Sequence, residues 1–248
     1  MTFFFKDKNI PYREIIIDKG RRSAERADKV IAVSQHTKMD MVREWGIDEK
    51  KIEVVYHGVD KTLKPISPNR IIEHPYIFFA GGGRSLNKNF DHLIEAFALL
   101  SANYPDLRLV CSGSAFNDNE IKMLTKWKVH KNVIHFYANE QQMAQLYHDA
   151  LMLVAPFYYE GFGMPILEAM MYDCPVVLSN ASCFPEIAQE AGIYFDPYNS
   201  EEMSTKMELL IGDTTLRNNQ IIKGKERVDH FSWEKCAAEH MNVYKSII

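Results

Sequence analysis

The sequence predicts an α/β protein built around a doubly wound parallel sheet. Three observations carry that expectation. From Pro75 onward, short apolar runs alternate with helix-length amphipathic stretches, the pattern of βαβ units. The runs are continuously apolar, as expected of strands covered on both faces. Glycine-bearing turns follow several of them, where open α/β sheets place ligands.

Before that series lie two shorter strands, Val30–Val33 and Glu53–Tyr56. A helical pattern from about Gln35 to Trp45, stopped by Gly46, joins them. The segment Leu63–Asn69 is polar, carries two prolines and reads as a linker. The series itself starts with strand Tyr76–Ala80 and the turn Gly81-Gly82-Gly83. A helix follows from about Asn89 to Asn103, with Phe90, Leu93, Ile94, Phe97 and Leu100 on one face. Then come strand Leu107–Ser112, helix Asn119–Trp127, strand Val133–Phe136 and helix Glu140–Asp149. Strand Leu151–Ala155, helix Pro165–Tyr172 and strand Val176–Ser179 complete the alternation. Beyond Pro197 the chain reads as three helices, about Ser200–Ile211, Thr214–Asp229 and Trp233–Ile248.

Composition narrows the function classes. A net charge of -4 without a basic block argues against a nucleic-acid binder. The four cysteines show no CxxC spacing and read as small buried hydrophobes rather than disulfides or zinc ligands. Phe3-Phe4-Phe5 is cut off by Lys6-Asp7-Lys8, so no secretory signal is read there. No run approaches the ~20 apolar residues of a membrane span. The expectation is a soluble, cytoplasmic protein with peripheral membrane attachment at most.

Three loops leave strand ends with suggestive residues. Gly81-Gly82-Gly83 lets backbone approach a ligand, and Arg84 and Lys88 add two cations just before a helix. That combination suits a diphosphate, although neither a P-loop nor G-x-G-x-x-G is present. A flexible turn with solvated charges would look the same. Ser112-Gly113-Ser114 is a weaker signal of the same kind.

The third loop is the stretch from Glu160 through Gly161, Phe162, Gly163, Met164 and Pro165 to Glu168. Pro165 fits the first turn of a helix, where its missing N–H costs nothing. The amides of Gly163, Met164 and Ile166 would then face the crevice with the positive end of the helix dipole. A carboxylate accepts two hydroxyl hydrogen bonds at once and so suits a vicinal diol. The two glutamates also admit an acid/base couple, and Glu168 alone could merely favour the helix dipole.

Glu160 to Met170 has the form E-G-F-G-x-P-x-x-E-A-M and is followed by Pro175-Val176-Val177. Together with the other loops it resembles the donor-binding domain of retaining glycosyltransferases of family 4, which have the GT-B architecture of two Rossmann-like domains. The likeness runs from about residue 24 to the end. Ala27–Ser34 resembles the last strand of that family's N-terminal domain, and Val55–Asp60 its hinge, where Asn is commoner than His57. Lys88-Asn89 with Leu93-Ile94-Glu95-Ala96-Phe97, Pro185-Glu186-Ile187 and Phe231-Ser232-Trp233 also fit.

The resemblance implies roles. Lys88 and an arginine, here Arg84, would hold the donor diphosphate, with Gly82 and Gly83 beside it. Glu168 would bind the ribose hydroxyls and Glu160 the transferred sugar. Gly161, Phe162, Gly163 and Met164 would line phosphates and sugar, and Tyr137 would lie near the base. Both glutamates then grip the donor, which displaces the acid/base reading. The donor is a nucleoside-diphosphate sugar, no cofactor or metal is implied, and a hexose would pass to a glycan or lipid-linked acceptor. Two departures stand out. Asn87 precedes Lys88 where the family often has Arg, and Arg84 lies four residues before it rather than five. None of the nine histidines matches the context of the family's catalytic histidine, which belongs to the acceptor domain.

The domain expectation is a remnant of the acceptor domain and hinge over 1–62, a linker over 63–74, a donor domain over 75–230 and a crossover helix over 231–248. Two strands with one helix between them leave sheet edges that must lean on the second domain, on another chain or on sequence outside this chain. Two alternatives stay open. One is a nucleotide-sugar-binding subunit or truncated form, inactive without a partner chain that supplies the acceptor domain. The other is a different GT-B enzyme, such as an epimerase or a phosphorylase, although no motif for pyridoxal phosphate is seen.

Overall fold

The computed structural model describes residues 13–60, 62 and 70–248. The linker reading of Leu63–Asn69 and the reading of Phe3-Phe4-Phe5 fall outside the described residues.

Six strands form one parallel sheet: β3 (Tyr76–Phe79), β4 (Arg108–Ser112), β5 (Val133–Phe136), β6 (Met152–Ala155), β7 (Val176–Ser179) and β8 (Gly192–Phe195). Their spatial order is β5-β4-β3-β6-β7-β8, and every pairing is parallel. The chain winds outward from β3 to β5, returns to place β6 beside β3, and winds out the other way. The order therefore reverses between β3 and β6, which opens a crevice at their carboxyl ends. Because parallel crossovers are right-handed as a rule, winding in opposite directions from the reversal places the helices of the two halves on opposite faces. Helix α3 (Phe90–Asn103) packs on α8 (Ser200–Gly212). Helix α6 (Met164–Met171) packs on α5 (Glu140–Asp149) and α9 (Thr214–Val228).

The continuous apolar runs are explained by this double cover. Every residue of β3, β6 and β7 is buried, whereas the edge strands β5 and β8 are mostly half-buried. Most expected elements are found within one or two residues of their sequence-based bounds. Three were not anticipated: β8, α1 (Arg13–Arg26) and α7 (Phe184–Ala188). The expected single α-helix between the first two strands is present as α2 (Gln35–Trp45), and α1 precedes them.

Those strands, β1 (Val30–Ala32) and β2 (Ile52–Val54), pair in parallel as a separate two-stranded sheet joined by α2 (Gln35–Trp45). Ala24, Ala32, Ile47 and Ile52 make a small core on one side, with Met41, Val42 and Trp45 against it. On another side, Val55 packs with Cys236 and Val243 of α10 (Trp233–Lys245), and Ile31 joins them. The little sheet thus leans on the last helix of the chain. All four cysteines are buried free thiols. No described helix is long and apolar enough to cross a membrane.

Candidate functional site

Two loops meet at the β3/β6 reversal, and buried asparagines tie them together. After β3 and the glycine turn, Leu86–Lys88 forms one tight helical turn. Asn87 is 3% exposed; its side-chain amide donates to the Tyr159 carbonyl at 3.1 Å, and its own carbonyl accepts from the Tyr158 amide at 2.8 Å. Asn89 donates to the carbonyls of Pro156 (2.9 Å) and Pro197 (2.7 Å). Lys88 stands between these anchors. Its Nζ lies 2.6 Å from Glu160 Oε2 and 3.9 Å from the centroid of the Phe157 ring. In the sequence Asn87 stands out only as a departure from the family pattern; its part in joining the loops is visible only in the fold.

The Glu160 backbone is fixed from β7's side. Its amide donates to the Ser182 hydroxyl at 3.0 Å, and its carbonyl accepts from Ser182 and Cys183. Phe162 is buried against Tyr56, His57 and Phe231. Gly163 caps α6 with φ of 94°, a conformation that glycine tolerates best. Pro165 falls in the first turn, as expected. The amide of Ile166 does not face the crevice: it donates to the Gly163 carbonyl at 2.9 Å. That corrects the expectation of a free donor there.

Glu168, one turn into α6, accepts a 2.7 Å hydrogen bond from the Tyr147 hydroxyl. Burial first, and then the nearby carboxylate, push the Tyr147 phenol well above its ordinary value, so it is a donor throughout the physiological range. Glu168 lines a cavity of about 300 Å³ together with Gly82, Ser112, Gly113, Tyr137, Met143 and Pro165. Tyr137 is 83% exposed at its mouth. Glu168 and Tyr147 also border a neighbouring cavity of about 320 Å³, with Asp60, Glu140 and Trp233. The structure therefore brings Lys88 and Glu160 into one ion pair. It brings Gly82, Tyr137 and Glu168 to one cavity, with Gly161 to Met164 running between the two groups. Gly83 closes the glycine turn, its amide donating to the Gly81 carbonyl at 2.6 Å.

Arg84 is elsewhere. Its Nε donates to Glu120 Oε1 at 2.7 Å, and Nη2 donates to the carbonyls of Ser114 (2.6 Å) and Ala115 (2.8 Å). The guanidinium sits over Phe116 and Phe90, and its side chain is 4% exposed. Glu120 is itself fixed at the start of α4 (Asp118–Lys126), where it closes a capping box with Asn117. Arg84 and Lys88, expected to hold one diphosphate together, thus take separate partners, Glu120 and Glu160. Arg84 instead pins the glycine turn to the turn after β4 through a buried carboxylate and two carbonyls, while its buried Nη1 has no hydrogen-bond partner.

Residues 64–227 match the family profile described as glycosyl transferases group 1, and residues 2–63 match that of Glycosyltransferase Family 4. The chain belongs to the group 1 glycosyltransferases. Among curated proteins, this group 1 chain is 27% identical over 238 residues to O-antigen chain mannosyltransferase B of Escherichia coli, covering 90% of itself and 62% of that protein. It is 25% identical to the MMP alpha-(1->4)-mannosyltransferase of Mycolicibacterium hassiacum, covering 94% of itself and 57% of the relative. The chain thus spans about three fifths of the length of these relatives. Its fold matches the crystal structure of Anabaena HepE in complex with UDP and glucose, with a TM-score of 0.84 at 19% identity over 94% of this chain and 67% of that one. A likeness at that identity concerns the fold, an α/β fold with a six-stranded parallel sheet that matches GT-B glycosyltransferase structures.

Proposed function

We propose that this chain forms the donor-binding part of a retaining glycosyltransferase, one that moves a hexose from a nucleoside-diphosphate sugar to a glycan or lipid-linked acceptor. The observation that carries the reading is the Lys88–Glu160 pair at the β3/β6 reversal, beside a glutamate-lined cavity that opens on the glycine turn. Family membership and the mannosyltransferase relatives support it.

Lys88 meets the diphosphate, exchanging Glu160 for phosphate oxygens when donor enters. The start of α6, capped by Gly163, adds the positive end of its dipole. Glu168, oriented by Tyr147, takes the ribose diol, and Tyr137 lies on the base side. Glu160, freed from Lys88, takes sugar hydroxyls. Gly82, Gly83 and Gly161 to Met164 supply the backbone walls. As the sugar–phosphate bond breaks, charge grows on the diphosphate, where a preorganised cation or amide can be worth ~3 kcal/mol. The acceptor then attacks from the face the leaving group occupied, which retains the anomeric configuration. Arg84 has no direct part in this reading. Residues 75–230 make the donor domain, 231–248 the crossing helix, and 1–62 the acceptor-side piece and hinge.

Calorimetry with UDP, GDP and ADP sugars tests the donor half, and a transfer assay tests the rest. Binding of at least one donor, with transfer abolished in Glu160→Ala and Glu168→Ala, is the expected result. Full activity in both variants would sink the assignment. A second reading is favoured by the small size of the β1–β2 unit against the six-stranded sheet. In it the chain binds donor and a partner chain presents the acceptor. Turnover by the pure monomer excludes that version.

A further inference from the structure

Glu160 is flanked by two residues that are both held from α2, an element of the other sheet. On one side, Tyr159 donates its hydroxyl to Asp40 at 2.7 Å. On the other, the Gly161 carbonyl accepts from Ser34 Oγ at 2.7 Å and lies 3.2 Å from Thr37 Oγ1. Ser34 is fully buried and also caps α2, its oxygen accepting the Thr37 amide at 3.0 Å. A hydroxyl has one proton and two lone pairs, so it can cap the helix and still donate to Gly161. The first amides of α2 are not left to water either. Glu186 accepts from Gln35 (2.7 Å) and His36 (3.0 Å), and from the Tyr56 hydroxyl at 2.8 Å. The whole N-terminal turn of α2 is therefore bolted to the segments after β6 and β7.

From this geometry we propose that Ser34 and Thr37 are positioning residues for Glu160, acting through the Gly161 carbonyl. With Ser182 holding Glu160's own amide and carbonyl, the contact from α2 fixes the following peptide and hence the direction in which the carboxylate leaves the loop. The proposal rests on Glu160 being the sugar contact. It reaches beyond that reading because it makes the donor sugar sense the placement of the β1–β2 unit. Glu168, held by Tyr147 and placed on α6, is not under the same control. Sugar and nucleotide therefore respond differently when the contact is cut.

The test uses the full chain carrying Ser34→Gly and Thr37→Val together. Glycine is a tolerable cap, so the helix start is kept while both hydroxyls are lost. Calorimetry with UDP, UDP-glucose, GDP and GDP-mannose is paired with amide hydrogen exchange over residues 159–163. Loss of the pinning hydrogen bond is expected to weaken the nucleotide sugar that binds wild type by roughly five- to tenfold. The matching nucleoside diphosphate keeps its affinity, and the amides around Gly161 exchange faster. Thr37→Ser alone behaves as wild type. Asp213→Ala, which removes a cap of the same kind from α9, changes neither affinity. Equal weakening of sugar-bearing and sugar-free nucleotides would overturn the proposal, as would unchanged exchange. If wild type binds none of the four probes, the donor reading falls, and the exchange measurement alone then decides whether α2 holds the loop.

Discussion

The ammonium of Lys88 lies 2.6 Å from Glu160 Oε2 and 3.9 Å from the centroid of the Phe157 ring. It therefore waits in a half-shielded position, with side-chain exposures of 16% for Lys88 and 27% for Glu160. An anion that displaces the carboxylate gains the cation and frees Glu160 at the same time. Lys88→Ala is expected to weaken nucleoside-diphosphate binding by roughly 10- to 100-fold, the range of a lost hydrogen bond to a charged group. Glu160→Gln, which releases Lys88, is expected to leave diphosphate affinity equal or higher while lowering transfer. Titration of both variants checks this, and unchanged binding in Lys88→Ala refutes it.

Arg84 separates two roles by stability. Its pair with Glu120 is buried, with side-chain exposures of 4% and 11%. Removing one member leaves an uncompensated buried charge, so Arg84→Ala is expected to cost about 3 kcal/mol of folding stability. Arg84→Lys is expected to rescue little, because a lysine cannot reach the carboxylate and both carbonyls in one fork. Urea denaturation checks this. An arginine that served only as a phosphate ligand would show normal stability and lost binding instead.

Gly113 is a second structural test of the same wall. Its φ is +110°, and an added Cβ would stand 2.4 Å from the Gly82 carbonyl oxygen. Gly113→Ala must therefore strain the backbone or push away the glycine turn. The expected cost is at least about 2 kcal/mol, with weaker nucleotide binding because the cavity wall moves. A variant of normal stability would show that the two turns yield easily.

His57 gives a pH dependence. Burial first, and then the nearby His240, hold its imidazole below the ordinary value. As pH falls, the unfolded chain takes up this proton before the folded one does. The contribution is complete above about pH 6.5 and is lost as pH drops through the folded value. The ring sits edge-on to Phe162, so the charge arrives beside the loop of Glu160. His57→Asn is expected to flatten the fall of stability between about pH 7 and pH 5. Parallel stability curves for the two proteins would dismiss His57 as a contributor.

What could be read from the sequence was what neighbours along the chain decide. The β6–turn–α6 unit was legible because an apolar run, a glycine turn and a proline-led helix follow each other directly. β8 was missed because Gly192–Phe195 opens on a glycine and leaves only Ile193, Tyr194 and Phe195 as an apolar run. α1 was missed because Arg13–Arg26 is highly polar, with its three isoleucines in a single run near its start. The surroundings of Arg84 were hidden for another reason. Its partner Glu120 lies 36 residues away and is aimed by a capping box that composition does not reveal. The contacts of Ser34 with Gly161, 127 residues apart, and of Glu186 with α2 likewise exist only once the two sheets are side by side.

The cluster of Ile31, Val55, Cys236 and Val243 joins the first strands to the last helix. During synthesis the β1–β2 unit leaves the ribosome before the six-stranded sheet, yet one of its apolar surfaces has no cover until α10 has been made. The whole six-stranded sheet can be assembled in between. Order of birth and order of completion therefore differ, and the closing helix acts late on a unit made before that sheet. Chains arrested before Trp233 should show protease cleavage confined to residues 13–60, and full-length chains should lose it as α10 docks.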